Sequence, residues 1–184
     1  ESLERFSPDS LSVMEFQDPQ DYELFEKIYS QADLLGEILE SGSWNVSFSR
    51  EFDMNLDRDL FNKSNRGFPL YEGKMIHQFD AFYGEPQYWV EENAGTKKLA
   101  HSVASDWHRG YRFAFREIAR STDARTAIMS MLPPLSYIGH TLWSGTTASA
   151  VNNLFIVAIF NSLIFDYMAR FRVGTHMTLS IVKQ

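Results

Sequence analysis

Apolar residues recur at helical spacing early in the chain, after an opening formed by Asp18 and Pro19. The recurring positions are Tyr22, Phe25, Ile28, Tyr29 and Leu35. An aspartate followed by proline is typical of a helix start, because the carboxylate caps free N–H groups and proline suits the first turn. The spacing predicts a helix over about 19–39 with an acidic outer face.

From Trp44 the period of the apolar positions changes to two residues, which is typical of half-buried strands. The alternating positions are Val46 and Phe48, then Phe52, Met54 and Leu56. A further strand pair is predicted over 70–83, with Glu72-Gly73 as its turn or bulge.

A second alternating segment follows, in which Tyr111, Phe113 and Phe115 occupy one face of a strand and Arg112 and Arg116 the other. A turn at 121–123 and a strand over 126–132, stopped by two prolines at 133–134, complete a predicted antiparallel hairpin.

Near the C-terminus, Asn152 or Asn153 is predicted to cap a long apolar helix that reaches about Phe171 and forms the centre of the core. The sequence therefore predicts a mixed α+β fold. Its parts are a twisted, mostly antiparallel sheet, this long buried C-terminal helix and the acidic N-terminal helix.

The chain has no cysteine, which excludes a disulfide framework, a thiolate zinc site and a cysteine nucleophile. It begins with Glu1, and no basic and apolar leader precedes the fold, so we expect an excised piece of a cytoplasmic protein. The longest apolar run, over 154–169, is short for a membrane span and contains Asn161, Ser162 and Asp166. We therefore expect no membrane association.

The net charge of −7 is unevenly distributed. Residues 1–40 carry two basic and eleven acidic side chains, whereas residues 97–184 carry ten basic and four acidic ones. A basic half favours a surface that faces phosphates. The predicted contacts there are Lys97, Lys98, Arg112, Arg116, Arg120 and Arg125. The alternative is a solvated face that balances the acidic N-terminal segment.

Motifs for catalysis are absent from the sequence. There is no glycine-rich cofactor loop, and Pro133-Pro134 lacks the polar and aromatic neighbours that grip a flipped adenine. Asp80 and Glu85 leave open a metal-dependent nuclease, although their spacing is unusual for one. We assign no catalytic residue and no metal ligand.

Five ordered segments together resemble a known family. They are 50–54, 68–80, 111–122 with 125–126, 161–167, and 174–176 with 181–184, the second reading Phe-Pro-Leu-Tyr-Glu-Gly-Lys-Met-Ile-His-Gln-Phe-Asp. This series resembles the TaqI-like C-terminal specificity domain of bacterial type IIG restriction-modification enzymes and adenine-specific DNA methyltransferases.

The resemblance implies a DNA target-recognition domain over 44–184, preceded by a helical connector over 1–43. Its partners would be double-stranded DNA and the methyltransferase domain of the parent chain. S-adenosylmethionine would be bound by that domain, so no cofactor is expected in this segment. The domain would position a target adenine and catalyse nothing itself.

Lys74, His77 and Gln78 follow the predicted turn and are further candidates for DNA contact. Gln78 could read adenine through paired hydrogen bonds, but we favour phosphate contact or structural support for these three residues. One rival function is a protein-interaction module, and the other is the nuclease that uses Asp80 and Glu85.

Overall fold

Two four-stranded sheets form the frame of the structure, a computed structural model that describes residues 14, 16, 18–31, 44, 46–103 and 106–183. The strands are β1 Ser47–Ser49, β2 Phe61–Asn62, β3 Phe68–Tyr71, β4 Trp89–Val90, β5 Arg112–Arg116, β6 Met129–Leu132, β7 Tyr137–Ile138 and β8 Leu142–Thr146. The α-helices are α1 Pro19–Gln31, α2 Glu92–Leu99, α3 Ala150–Phe160, α4 Leu163–Arg170 and α5 Leu179–Lys183. Short 3-10 helices lie at Arg58–Leu60, Gly73–Met75 and Trp107–Arg109.

The first sheet has the order β1-β8-β5-β6 and is antiparallel throughout. The second has the order β2-β4-β3-β7, and its β3–β7 pair is parallel. The predicted α+β class and mostly antiparallel pairing are confirmed, as is the strand at Arg112–Arg116 that pairs with Met129–Leu132. The prolines at 133–134 end β6, because proline has no N–H for a ladder bond.

Each face of the first sheet carries its own core. On one face Phe113, Phe115 and Met129 pack with Ile156 and Phe160 of α3. On the other face the small side chain of Ala114 leaves room for the segment after β3, which brings the buried Met75 and Ile76 into contact with the sheet. The segment after β3 is thus seated directly on the sheet.

The predicted long C-terminal helix is in fact two helices, α3 and α4, bent by 58°. Ser162 starts α4, because its hydroxyl accepts a hydrogen bond from the Phe165 N–H at 3.1 Å. Asn161 follows the last residue of α3, and its side-chain amide forms hydrogen bonds with the backbone of Met129. The predicted caps were also wrong, since Ser149 caps α3 and the Asn153 side chain accepts from the Thr147 N–H.

The α3–α4 pair is only half buried, contrary to the prediction of a central core helix. Its exposed apolar side chains are Val151, Leu154, Phe155, Ile159, Leu163 and Ile164. Among the described residues no single helix has the length and apolarity to span a membrane, and this bent pair meets the criterion by length and composition only.

Two further local predictions were corrected. The alternation of Phe52, Met54 and Leu56 is not a strand, because the Asp53 carboxylate accepts the N–H groups of Asn55 and Leu56 and closes a turn. These two backbone hydrogen bonds, that of Leu56 first, lower the pKa of Asp53. Likewise, the strand pair predicted over 70–83 is not formed, because β3 ends at Tyr71 and a 3-10 turn follows at Gly73–Met75.

Helix α1 begins at Pro19 as predicted, with the Asp18 carboxylate accepting from the Gln20 N–H at 2.8 Å. Its buried Phe25 packs on Phe171, and the Tyr167 hydroxyl donates to the Asp21 carboxylate. Burial and then that carboxylate raise the pKa of Tyr167 to about 12. Residues 32–39 of the predicted longer helix lie outside the described residues, and the division of the chain at residue 43 stays a prediction.

Candidate nucleic-acid interface

A tight loop over residues 76–84, called here the aromatic loop, sits on the edge of the first sheet. The backbone of His77 and Asp80 pairs in both directions, at 2.7 and 3.1 Å, so the two residues between them form the tip. The Phe79 N–H donates to the Met129 carbonyl at 3.1 Å, and the Gly84 N–H donates to that of Met75 at 3.0 Å. The loop backbone is therefore fixed at its tip and at its end.

Three aromatic side chains of this loop point outward. Phe79, Phe82 and Tyr83 are 65%, 75% and 62% exposed. Phe79 has a φ of 62°, a left-handed conformation that costs a residue with a Cβ about 1 kcal/mol or more. The exposure of these aromatics was not predictable from the sequence, because an isolated phenylalanine in an alternating segment is typical of a core position.

Lys74, His77 and Gln78 lie at the base and tip of the loop. The Lys74 ammonium is half exposed and contacts Gln87 at 2.9 Å and Glu72 at 3.2 Å. The His77 ring lies 4.9 Å from the Tyr83 ring. Gln78 faces inward, where its amide donates to the Ala127 carbonyl at 2.9 Å, so in this arrangement it supports the loop and has no free edge for a base.

Arg116 contacts the loop directly, and Arg125 is linked to it through the Asn161 carbonyl, which also accepts from the Gln78 amide at 3.4 Å. The Arg116 guanidinium donates to the Ile76 carbonyl. Burial lowers the pKa of Arg116, an effect that Tyr83 and Asp123 oppose. Arg125 donates to the Asn161 carbonyl at 2.6 Å and lies 3.7 Å from the buried Asp166. Arg120 is exposed, just before the turn that leads to β6.

Arg112 lies apart from these arginines, inside the protein. Its side chain is 1% exposed and its guanidinium is 3.1 Å from the equally buried Glu51 carboxylate. It also donates to the Ser136 carbonyl at 2.6 Å. A guanidinium buried in this way cannot contact DNA, so Arg112 is a core residue in this arrangement and the predicted DNA contact is wrong for it.

Lys97 and Lys98 belong to α2. Lys97 is exposed, while Lys98 forms an ion pair with Asp57 at 2.6 Å. No described contact joins either lysine to the aromatic loop. Five of the nine predicted contacts, Lys74, His77, Gln78, Arg116 and Arg125, therefore adjoin the loop, and Arg120 follows β5 nearby in the chain.

Acidic side chains also lie at this surface. Asp80 is exposed at the loop and its carboxylate accepts the Phe82 N–H at 2.7 Å, as a turn cap. Glu85 is exposed as well. No group of three or more histidine, aspartate or glutamate side chains suited to a metal ion occurs among the described residues. The arrangement gives the nuclease alternative no support.

The segments that carried the resemblance contact one another in three dimensions. Their contacts include the Arg50–Glu117, Glu51–Arg112, Gln78–Asn161 and Arg125–Asp166 pairs. Asp166 also accepts the backbone N–H groups of Thr126 and Ala127 at 2.7 and 2.8 Å. These partners were not predictable from the sequence because they are 39 to 83 residues apart. The shared motifs are thus largely a framework that holds the loop.

Comparisons with known proteins found matches among solved structures alone. No protein-family model and no curated protein matches the chain. The HsdS subunit from Thermoanaerobacter tengcongensis matches with a TM-score of 0.46 and 11% identity over 83% of this chain and 31% of that one. A structure that describes complex assembly and conformational transition of the type I R-M system matches with a TM-score of 0.44 and 13% identity over 82% and 31%. The chain spans about a third of the length of these structures, and similarity at this level assigns no family.

Proposed function

We propose that this chain is a DNA target-recognition domain of a restriction-modification enzyme. The observation that carries the proposal is the aromatic loop, an exposed loop fixed on a sheet edge and adjoined by Lys74, Arg116 and Arg125. Loops held by a rigid scaffold are where binding residues concentrate. Cationic side chains around such a loop fix the register on phosphates, while other groups reach the bases.

The finer form of the proposal follows the resemblance. The parent enzyme would be an adenine-specific methyltransferase of the type II class, with S-adenosylmethionine and the chemistry in a neighbouring domain of the same chain. This domain would place the target adenine and would carry no catalytic residue. The exposed acidic residues Asp80 and Glu85 limit the net positive charge of the loop surface, so we expect modest affinity from this segment alone.

The test is the salt dependence of binding to a mixed-sequence duplex. We expect binding that weakens as salt rises, and a log–log slope that falls by about one for Arg120→Ala and for Lys74→Ala. Lys27→Ala, on the exposed face of α1, is the matched control and should leave the slope unchanged. An intact chain that binds no duplex at low salt would overturn the proposal.

A second function is supported by a different surface. The exposed face of α3 and α4 is apolar, and the α3 sequence Ala-Val-Asn-Asn-Leu-Phe-Ile-Val-Ala-Ile-Phe has no charged residue. A face of this kind suits a protein partner, and the parent methyltransferase domain is the occupant that the resemblance suggests. Leu154→Glu should abolish co-purification with that domain and leave the salt slope of DNA binding unchanged, whereas retained co-purification would reject this face.

A further inference from the structure

Two groups of exposed large apolar side chains differ in their chemistry. On α3 and α4 all but Phe155 are aliphatic, as expected of a face that packs against protein. On the aromatic loop Phe79, Phe82 and Tyr83 are all aromatic, and the ring of His77 packs on Tyr83. Planar rings gathered on one loop suit a planar partner.

The loop holds its rings outward at an energetic cost. Phe79 keeps a left-handed backbone that glycine or asparagine would adopt with less strain. The hydrogen bond to Met129, the paired backbone of His77 and Asp80, and the inward-facing Gln78 amide fix that conformation from three sides. Local strain that the surroundings enforce is concentrated at binding and catalytic sites.

The cationic side chains next to the aromatic loop indicate the chemistry of its partner. The Arg116 guanidinium donates to the loop backbone at the Ile76 carbonyl, and Lys74, with its half-exposed ammonium, lies two residues before the loop. Aromatic rings next to cations match the two parts of a nucleotide, because a base stacks on a ring and its phosphate pairs with a cation. A protein partner with an aliphatic surface would require neither exposed aromatic rings nor neighbouring cations.

We propose that Phe79, Phe82 and Tyr83 form a stacking surface for unstacked bases of bound DNA. This inference rests on the DNA-recognition function proposed above and specifies which part of the DNA the loop binds. Aromatic side chains presented on a fixed loop hold an opened base step, because stacking on the rings replaces part of the stacking lost within the duplex.

The test compares two probes with the complete 184-residue chain, namely a mixed-sequence duplex and the same duplex with a single central mismatch. The mismatch has already lost part of its stacking, so a stacking surface binds it more tightly. We expect a preference of about tenfold in Kd for the wild type. Phe79→Asn should reduce the preference to near unity and leave the salt slope unchanged.

Leu135 provides a matched control, since it is also exposed and also left-handed, with a φ of 59°. Phe79→Asn and Leu135→Asn each relieve strain, and each should raise the melting temperature by about 2–4 °C. Only Phe79→Asn should remove the mismatch preference. A lower melting temperature for Phe79→Asn than for the wild type would assign Phe79 a packing role and overturn the inference.

The outcomes separate this inference from the proposed function. A wild-type chain that binds both duplexes equally, or a Phe79→Asn chain that keeps the preference, overturns the stacking surface and leaves DNA recognition standing. A wild-type chain that binds neither duplex overturns both. A wild-type dimer that Phe79→Asn converts to a monomer identifies the loop as a protein contact and also overturns the inference.

Discussion

The Arg112 guanidinium and the Glu51 carboxylate form an ion pair at 3.1 Å in the interior of the protein. Glu51 also accepts hydrogen bonds from the Trp107 indole at 2.9 Å, the Ile138 backbone N–H at 2.8 Å and the Ser144 hydroxyl at 3.3 Å. One carboxylate thus ties together the two sheets, because Ser144 lies on β8 and Ile138 on β7.

Glu51→Gln is predicted to destabilise the fold strongly. The change leaves the Arg112 charge buried without a counter-charge, which costs about 3–5 kcal/mol. Urea unfolding should show the loss, and the exposed Glu91→Gln is the control. A change of stability within about 0.5 kcal/mol would contradict the buried pair.

Asn161→Ala is predicted to loosen the junction of the aromatic loop with the sheet. The amide accepts from the Met129 N–H at 3.0 Å and donates to the Met129 carbonyl at 2.8 Å. Its loss leaves the Met129 N–H without this acceptor, at about 1–3 kcal/mol, while the carbonyl keeps its bond from the Phe79 N–H. Chemical unfolding of the variant measures this loss of stability, with the exposed Asn93→Ala as the control. Equal stability of the two variants would reject the role of the amide.

Gly95→Ala is predicted to be unfavourable although Gly95 is in a helix. Alanine normally gains about 1 kcal/mol over glycine there. In this fold the added Cβ falls well inside contact distance of the Tyr137 ring, which is fully buried and cannot move aside. We expect a net loss of about 1–3 kcal/mol in a thermal or urea melt.

Gly110→Ala is the control for that melt, since a Cβ at Gly110 meets no atom within 4 Å among the described residues. Gly95→Ala at or above wild-type stability would show that α2 is not seated on Tyr137.

His108 is predicted to make stability fall in mild acid. Burial lowers the pKa of His108, an effect that Glu92 partly opposes. Because the folded pKa lies below the unfolded value of about 6.5, the unfolded chain binds the proton more readily and stability decreases as pH falls through that value.

The urea concentration at the midpoint of unfolding, measured at pH about 8 and about 5.5, tests whether stability decreases in acid. The decrease should be smaller in His108→Gln, since the other four histidines are common to both chains and cancel in the comparison. An identical decrease in the two chains would remove His108 as the cause.

The strands β5 and β6 were predictable because their signals are local. The alternation around Phe113 and the stop at Pro133 depend only on neighbouring residues. The burial of Arg112 was not predictable, because its partner Glu51 lies 61 residues away and nothing near Arg112 in the chain marks it as paired. The break at Ser162 was hidden inside an apolar run that has the composition of a continuous helix.

Part of the candidate site was likewise predictable from local sequence signals. The turn after Glu72 and the residues Lys74 and His77 were found from turn chemistry, and the structure places them at one surface. The outward aromatics were missed because their exposure depends on the left-handed Phe79 and on the anchors at Met129, in the distant β6, and at Ala127, just before that strand.

The side chain of Asn161 has a consequence for assembly. Strand β6 is an edge of its sheet, and an open edge invites another chain to add a strand. At Met129 both outward backbone groups are taken, the N–H by the Asn161 amide and the carbonyl by that amide and by Phe79. At this point the edge is sealed against strand addition, so a partner that approaches here, whether duplex or protein, must be recognised through side chains alone.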